Sequence, residues 1–155
     1  NPYTDGYDFA YQINLDWGTE TYISHFVYDE FNNIYYRYSG DALWVSHVSE
    51  DDLDDEDAIP LTFSNVIVQR VEYEYTNNSK IMPNMQSVGQ GNADIFIGGR
   101  YIAGYWIRLS QDDPTVYYDD QGNEIQLTRG KTFIAQLPPD CLLTFSSTID
   151  DTFAD

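Results

Sequence analysis

From Asn65 to Tyr75 the chain reads Asn-Val-Ile-Val-Gln-Arg-Val-Glu-Tyr-Glu-Tyr, and its side chains sort by period two. Ile67, Val71, Tyr73 and Tyr75 fall on one face of an extended chain, while Arg70, Glu72 and Glu74 fall on the other. Valine, isoleucine and tyrosine suit a pleated, half-buried surface. The pattern predicts the longest strand and the centre of a sheet. Gln69 is the one polar residue on the apolar face, so its amide is expected to be hydrogen-bonded, as an anchor or as part of a site.

The same alternation recurs elsewhere. Phe9, Tyr11, Ile13, Leu15 and Trp17 alternate with Ala10, Gln12, Asn14 and Asp16, which predicts a half-buried strand. Further strands are expected over 21–28, 34–39, 42–48, 100–109 and 131–137, with a short edge strand at 142–145. Asp119-Asp120-Gln121-Gly122-Asn123 reads as a hairpin with its glycine in the left-handed conformation. Gly89-Gln90-Gly91 and Gly98-Gly99 read as tight turns or bulges. No segment follows the helical period. Short strands at intervals of ~8–12 residues predict a single all-β domain, an antiparallel sandwich or partly open barrel with little helix. Residues 1–8 read as a linker from a preceding N-terminal domain, 9–145 as the β domain and 146–155 as a flexible tail.

Composition narrows the function. With 42% hydrophobic residues the 155-residue chain can bury a core of its own. Its 26 acidic and 7 basic residues give a net charge of −19, which repels phosphate backbones and anionic lipid surfaces and argues against nucleic acid as a partner. Cys141 is the only cysteine, so no disulfide forms within the chain, and it reads as a small packed side chain. No apolar run approaches the ~20 residues of a membrane span.

Candidate chemistry is sparse. His25 and His47 lie on predicted strands without metal-ligand spacing, so no metal set is assigned. His47 with a carboxylate is the one arrangement that suits a general base. No Gly-x-Ser-x-Gly elbow is present. The acidic run from Glu50 to Asp57 and the Asp119–Glu124 turn offer hard oxygen ligands without EF-hand spacing, compatible with weak Ca²⁺ binding and no dedicated cofactor. Tyr35, Arg37, Gln69, Trp106 and Arg108 are expected to line one surface groove, because tyrosine, tryptophan and arginine combine large contact area with polar tips.

Several pieces taken together resemble a known family. They are Tyr35-Tyr36-Arg37, Asn65-Val66-Ile67-Val68-Gln69, Gly89-Gln90-Gly91 with Gly98-Gly99, Gly104-Tyr105-Trp106-Ile107-Arg108, and Tyr117-Tyr118-Asp119-Asp120-Gln121-Gly122-Asn123-Glu124-Ile125 with Gly130-Lys131-Thr132-Phe133-Ile134. In this order, from about Phe9 to Pro138, they resemble the C-terminal domain of the YerB-like lipoproteins of Gram-positive bacteria, a family of unknown function. Relatives place a histidine closely after the glycine that follows the Tyr-x-Arg piece, whereas His47 here lies further from Gly40. The resemblance implies a domain outside the cytoplasmic membrane, tethered through a lipid anchor on an N-terminal part.

The expected function is therefore an extracytoplasmic binding or interaction domain of a cell-envelope lipoprotein. Its partner would be an envelope protein or polymer, contacted through Tyr35, Arg37, His47, Asn65, Gln69, Trp106 and Arg108. No catalytic residue is assigned. The alternative is a hydrolase acting on an envelope polymer with His47 and a carboxylate.

Overall fold

The computed structural model describes residues 6–16, 23–40, 42–47, 58–71, 73–74, 84–85, 88–137 and 141–153. Among these residues there is no helix. The strands are β1 (Asp8–Phe9), β2 (Gln12–Asp16), β3 (Ser24–Asp29), β4 (Ile34–Ser39), β5 (Ala42–Leu43), β6 (Val45–His47), β7 (Ala58–Pro60) and β8 (Thr62–Phe63). They continue with β9 (Asn65–Arg70), β10 (Tyr73–Glu74), β11 (Asn84–Met85), β12 (Gly89–Ile97), β13 (Arg100–Arg108), β14 (Val116–Asp119), β15 (Thr132–Leu137) and β16 (Leu142–Ser146).

Two sheets face each other, as the sequence predicts, and they do not close into a barrel. The first runs β1-β13-β12-β9-β15, with β14 also on β13; the second runs β16-β2-β3-β4-β5, with β8 also on β4. Two-stranded ribbons, β6–β7 and β10–β11, complete the set. The pairing is antiparallel except at β9 and β15, which run parallel with Ile67 opposite Ile134. Parallel neighbours need a long crossover, and here everything from β10 to β14 intervenes.

The centre is where the pattern places it, but the strand differs in two ways. β9 lies between β12 and β15, it ends at Arg70, and Tyr73–Glu74 belong to a separate ribbon. The longest strands are instead β12 and β13, of nine residues each. β9 is also covered on both faces. Val66 and Val68 pack between the sheets with Ile13, Leu15, Phe26, Tyr35, Phe96 and Leu137. Ile67 and Val71 point the opposite way, into a second core with Ile95, Ile102, Trp106, Tyr117 and Ile125. The segment after β14 supplies the cover on that side. Ile125 donates its N–H to the Tyr117 carbonyl, and Asn65 holds Thr128 through both backbone groups. A strand buried on both faces reads as an unbroken apolar run, which is what Val66-Ile67-Val68 is.

The strand expected over residues 9–17 is split between the sheets. Phe9 pairs with Arg100 in the first sheet, and the Ala10 N–H bonds the Gly99 carbonyl there. Tyr11 and the residues of β2 belong to the second. Phe9 is consequently exposed, whereas Gln12, beside the core-facing Ile13, is buried through its bonds to Asp150. Trp17 lies outside the described residues, as does the acidic run 50–57. The expected 42–48 strand is broken at Trp44 into β5 and β6.

The turns follow the sequence closely. Gly98 and Gly99 have φ of 61° and 75°, the pair of positive values that a two-residue hairpin requires, and they join β12 to β13. Gly89 and Gly91, by contrast, lie within β12. The Asp119 turn forms as predicted, with Gly122 at φ 87° and the Asp119 carboxylate accepting the N–H groups of Gln121 and Asn123.

Candidate functional site

The structure separates the residues expected to line one groove. Tyr35 and Arg37 point from β4 toward the space between the sheets. Tyr35 is fully buried, and its hydroxyl accepts the Gly99 N–H at 2.9 Å. Burial pushes the Tyr35 phenol far above its usual range. Asn65, Gln69 and Trp106 lie on the far face of the first sheet, all buried. Asn65 donates to the Thr128 carbonyl and to Thr132 Oγ1, so it ties a crossing segment down. Gln69 Oε1 accepts the Tyr117 hydroxyl at 2.8 Å, whereas its Nε2 has no partner among the described residues. Arg108 grips its own loop, donating to the carbonyls of Ser110, Gln111 and Asp113. His47 pairs through its backbone with Ala58, and its side chain lies outside the described residues. Asn65, Gln69 and Trp106 face inward because both faces of β9 and β13 carry a core, which a two-faced reading of each strand does not foresee.

What does reach solvent is a strip on the projecting half of the β12–β13 hairpin. The second sheet covers the inner face as far as Phe96 and Tyr101, whose rings pack on Phe145. Ala103, next on that face, is exposed, so the cover ends there. Beyond it, Asn92, Tyr105 and Tyr118 stand directly opposite one another on three adjacent strands. The Tyr105 and Tyr118 rings stack at 5.2 Å with planes 19° apart. Gln90 follows in the next row, opposite Ile107. Gln90, Gly91, Asn92 and Tyr105 line an open cleft of about 280 Å³. Among the described residues the cleft carries aromatic faces, amide donors and acceptors, and no charged side chain.

Gly91 explains how this strip is held rigid. It stands opposite Trp106, whose indole crosses β12 on the opposite side and donates Nε1–H to the Arg70 carbonyl at 2.7 Å. A Cβ at Gly91 would lie 2.6 Å from that nitrogen. The alternation Gln90, Asn92 against Gly89, Gly91 is the signal that a reading of the glycines as turns misses.

The family comparison can now be set beside this geometry. Residues 13–134 match the family described as Protein of unknown function (DUF3048) C-terminal domain. The chain belongs to this family. This DUF3048 C-terminal domain is also similar in fold to the crystal structure of YerB protein from Bacillus subtilis, with a TM-score of 0.68 and 20% sequence identity. The alignment covers 88% of this chain and 44% of the YerB chain, so this DUF3048 domain spans less than half of that protein. No protein of curated function matches the chain. Among the described residues, no group of three or more His, Cys, Asp or Glu side chains is placed to hold a metal ion.

Proposed function

We propose that this domain is a binding module of the cell envelope, displayed outside the cytoplasmic membrane on a lipid-anchored protein, and that it holds its partner on the β12–β13 strip. One observation carries the reading: the stacked Tyr105–Tyr118 pair with Asn92 alongside, open to solvent where the second sheet stops. Tyrosine offers contact area at low conformational cost, and neighbouring amides supply adaptable hydrogen bonds. Such a face suits an uncharged, hydroxyl-rich polymer better than an anionic one, because the net charge of −19 repels the latter.

Co-sedimentation of the folded domain with purified, insoluble cell-wall polymer tests the proposal. The wild-type domain is expected to sediment with the polymer, and Tyr105→Ala and Asn92→Ala to stay largely in solution. Both positions sit at the surface, so the variants should keep the wild-type denaturation midpoint. Equal recovery of wild type and both variants in the pellet would remove the strip from consideration.

A further inference from the structure

A chain with 26 acidic and 7 basic residues can easily supply every cation with a carboxylate, yet Arg37 has none among the described residues. Arg37 sits in the middle of β4 and is only 9% exposed. Its Nη2 donates to Ser24 Oγ over a long 3.3 Å, and its Nε has no partner among the described residues. Burial lowers its pKa to about 10, so the group is still a full cation at neutral pH.

Three rings surround it. The guanidinium carbon lies 3.3 Å from the Trp44 ring centroid, 4.6 Å from Phe133 and 5.7 Å from Phe26. These π faces offset part of the lost hydration. They leave the in-plane N–H groups unanswered, and a buried charge normally keeps both a partner and its hydrogen bonds. Nε–H and one Nη2–H run parallel along one edge, a pair that matches the two oxygens of a carboxylate, and among the described residues that edge meets only Ser24 Oγ, 3.3 Å from Nη2. Trp44, 37% exposed, stacks on the guanidinium face and is the most exposed of the three rings around it. Its backbone is pinned by an N–H bond to the Arg37 carbonyl, so its indole can swing while the chain stays in place.

We propose that Arg37 is the anchor of a carboxylate-binding site, with Trp44 as the movable wall, and that the site takes a monoanionic carboxylate from a small organic acid or from the free C-terminus of a peptide. A second negative charge would be opposed by the protein's own field, which disfavours phosphate monoesters. This site is independent of the hairpin strip: one takes an uncharged surface and the other an acid, and either can fail alone.

The arginine Nε–H signals of the ¹⁵N-labelled domain decide the matter. Sodium acetate and N-acetylalanine are titrated in turn, against N-acetylalaninamide and sodium chloride at matched ionic strength. The Arg37 signal, assigned through its backbone or by its loss in Arg37→Lys, should move saturably with either acid and with neither control. Movement with both acids identifies the bare carboxylate as sufficient. Movement with N-acetylalanine alone identifies a peptide terminus. Arg37→Lys, which keeps the charge and loses the fork, should bind about tenfold more weakly or worse. An Arg37 signal that stays still, drifts without saturating, or moves equally with chloride or the amide overturns the proposal. The wild-type titration gives that answer even if the variant does not fold.

Discussion

Trp106 Nε1 donates to the Arg70 carbonyl at 2.7 Å, reaching across β12 over Gly91, which has no side chain to block it. Arg70 ends β9 and Val71 continues into the outer core, so this bond fixes where the central strand leaves the sheet. Gly91 is the condition for it. A methyl group at Gly91 would lie 2.6 Å from the indole nitrogen and 2.8 Å from the Arg70 oxygen, and the latter is backbone that cannot rotate away. Gly91→Ala should cost on the order of 2 kcal/mol, the scale of an overpacked core. In the Trp106→Phe background the same change should cost less, since the nearer of the two atoms it collides with is gone and only the Arg70 oxygen remains. Denaturant unfolding of the four proteins in that cycle measures the difference, and additive costs would mean that the two residues do not meet.

Gln69 carries a similar test of accounting. Its Oε1 accepts the buried Tyr117 hydroxyl, and its Nε2 donates to nothing among the described residues. Gln69→Leu removes the orphan amide but strands the hydroxyl, so it should destabilise by about 1–3 kcal/mol. Adding Tyr117→Phe removes both halves of the pair and should restore most of that loss. Chemical denaturation reads both variants; a double variant less stable than Gln69→Leu alone would mean that Tyr117 is held by something other than Gln69.

These two pairs show which features can be read from a sequence and which cannot. The identity of β9 as the central strand is visible in Asn65-Val66-Ile67-Val68-Gln69, and the turns at Gly98-Gly99 and Gly122 announce themselves because a positive φ selects glycine. Alternation alone cannot say that both faces of a strand are covered. That depends on the segment through Ile125 and Thr128, which carries no period and owes its position to Asn65. Gln69 lies on the apolar face where the pattern puts it and serves there as a buried anchor, whereas Asn65 and Trp106 become interior groups only because that segment covers them. Tyr105 and Asn92 carry no mark of exposure in the sequence, for the converse reason. Their exposure depends on where the second sheet ends, which is a fact of packing.

Buried phenols set an alkaline limit on stability. Tyr101 donates to Asp94 Oδ1 at 2.6 Å, and Arg70 Nε contacts Oδ2 of the same carboxylate at 3.3 Å. Burial, then the Asp94 hydrogen bond and charge, raises the Tyr101 pKa well above its usual range; burial raises Tyr117 to about 12. An acid whose pKa is higher in the folded state holds its proton longer there than in the unfolded chain. Its contribution is complete below the unfolded value near 10 and is lost as pH climbs through the folded one. Unfolding midpoints should therefore be flat from about pH 8 to about pH 10 with respect to these groups and fall above that. Tyr101→Phe and Tyr117→Phe should each make the fall shallower. A slope unchanged in both variants would assign alkaline instability to other groups.

The segment after β16 provides a last and independent test, because composition marks residues 146–155 as a loose tail while residues 146–153 make specific contacts with the outer face of the second sheet. Gln12, buried at 1% exposure, donates Nε2 to Asp150 Oδ2 at 3.0 Å, and its Oε1 accepts the Asp150 N–H at 2.7 Å. Phe153 then packs on His25 and Tyr38, with ring centroids 4.8 and 4.7 Å away. Removing residues 147–155 would leave the Gln12 amide without either bond and uncover that aromatic pair. The loss should be about 1–3 kcal/mol, from two hydrogen bonds at about 0.5–1.5 kcal/mol each, while Gln12 Nε2 keeps Asn14 Oδ1 at 2.9 Å. The contact should also respond to acid. Burial, only partly opposed by the Asp150 charge, lowers the His25 pKa from 6.5, so the unfolded chain takes up this proton first. Stability tied to His25 is present above about pH 6.5 and declines as pH falls below it. His25→Gln should flatten that decline, and so should the truncation, which exposes His25 to water. If the shortened domain unfolds at the wild-type midpoint and with the wild-type pH profile, the tail contributes nothing to the fold in solution.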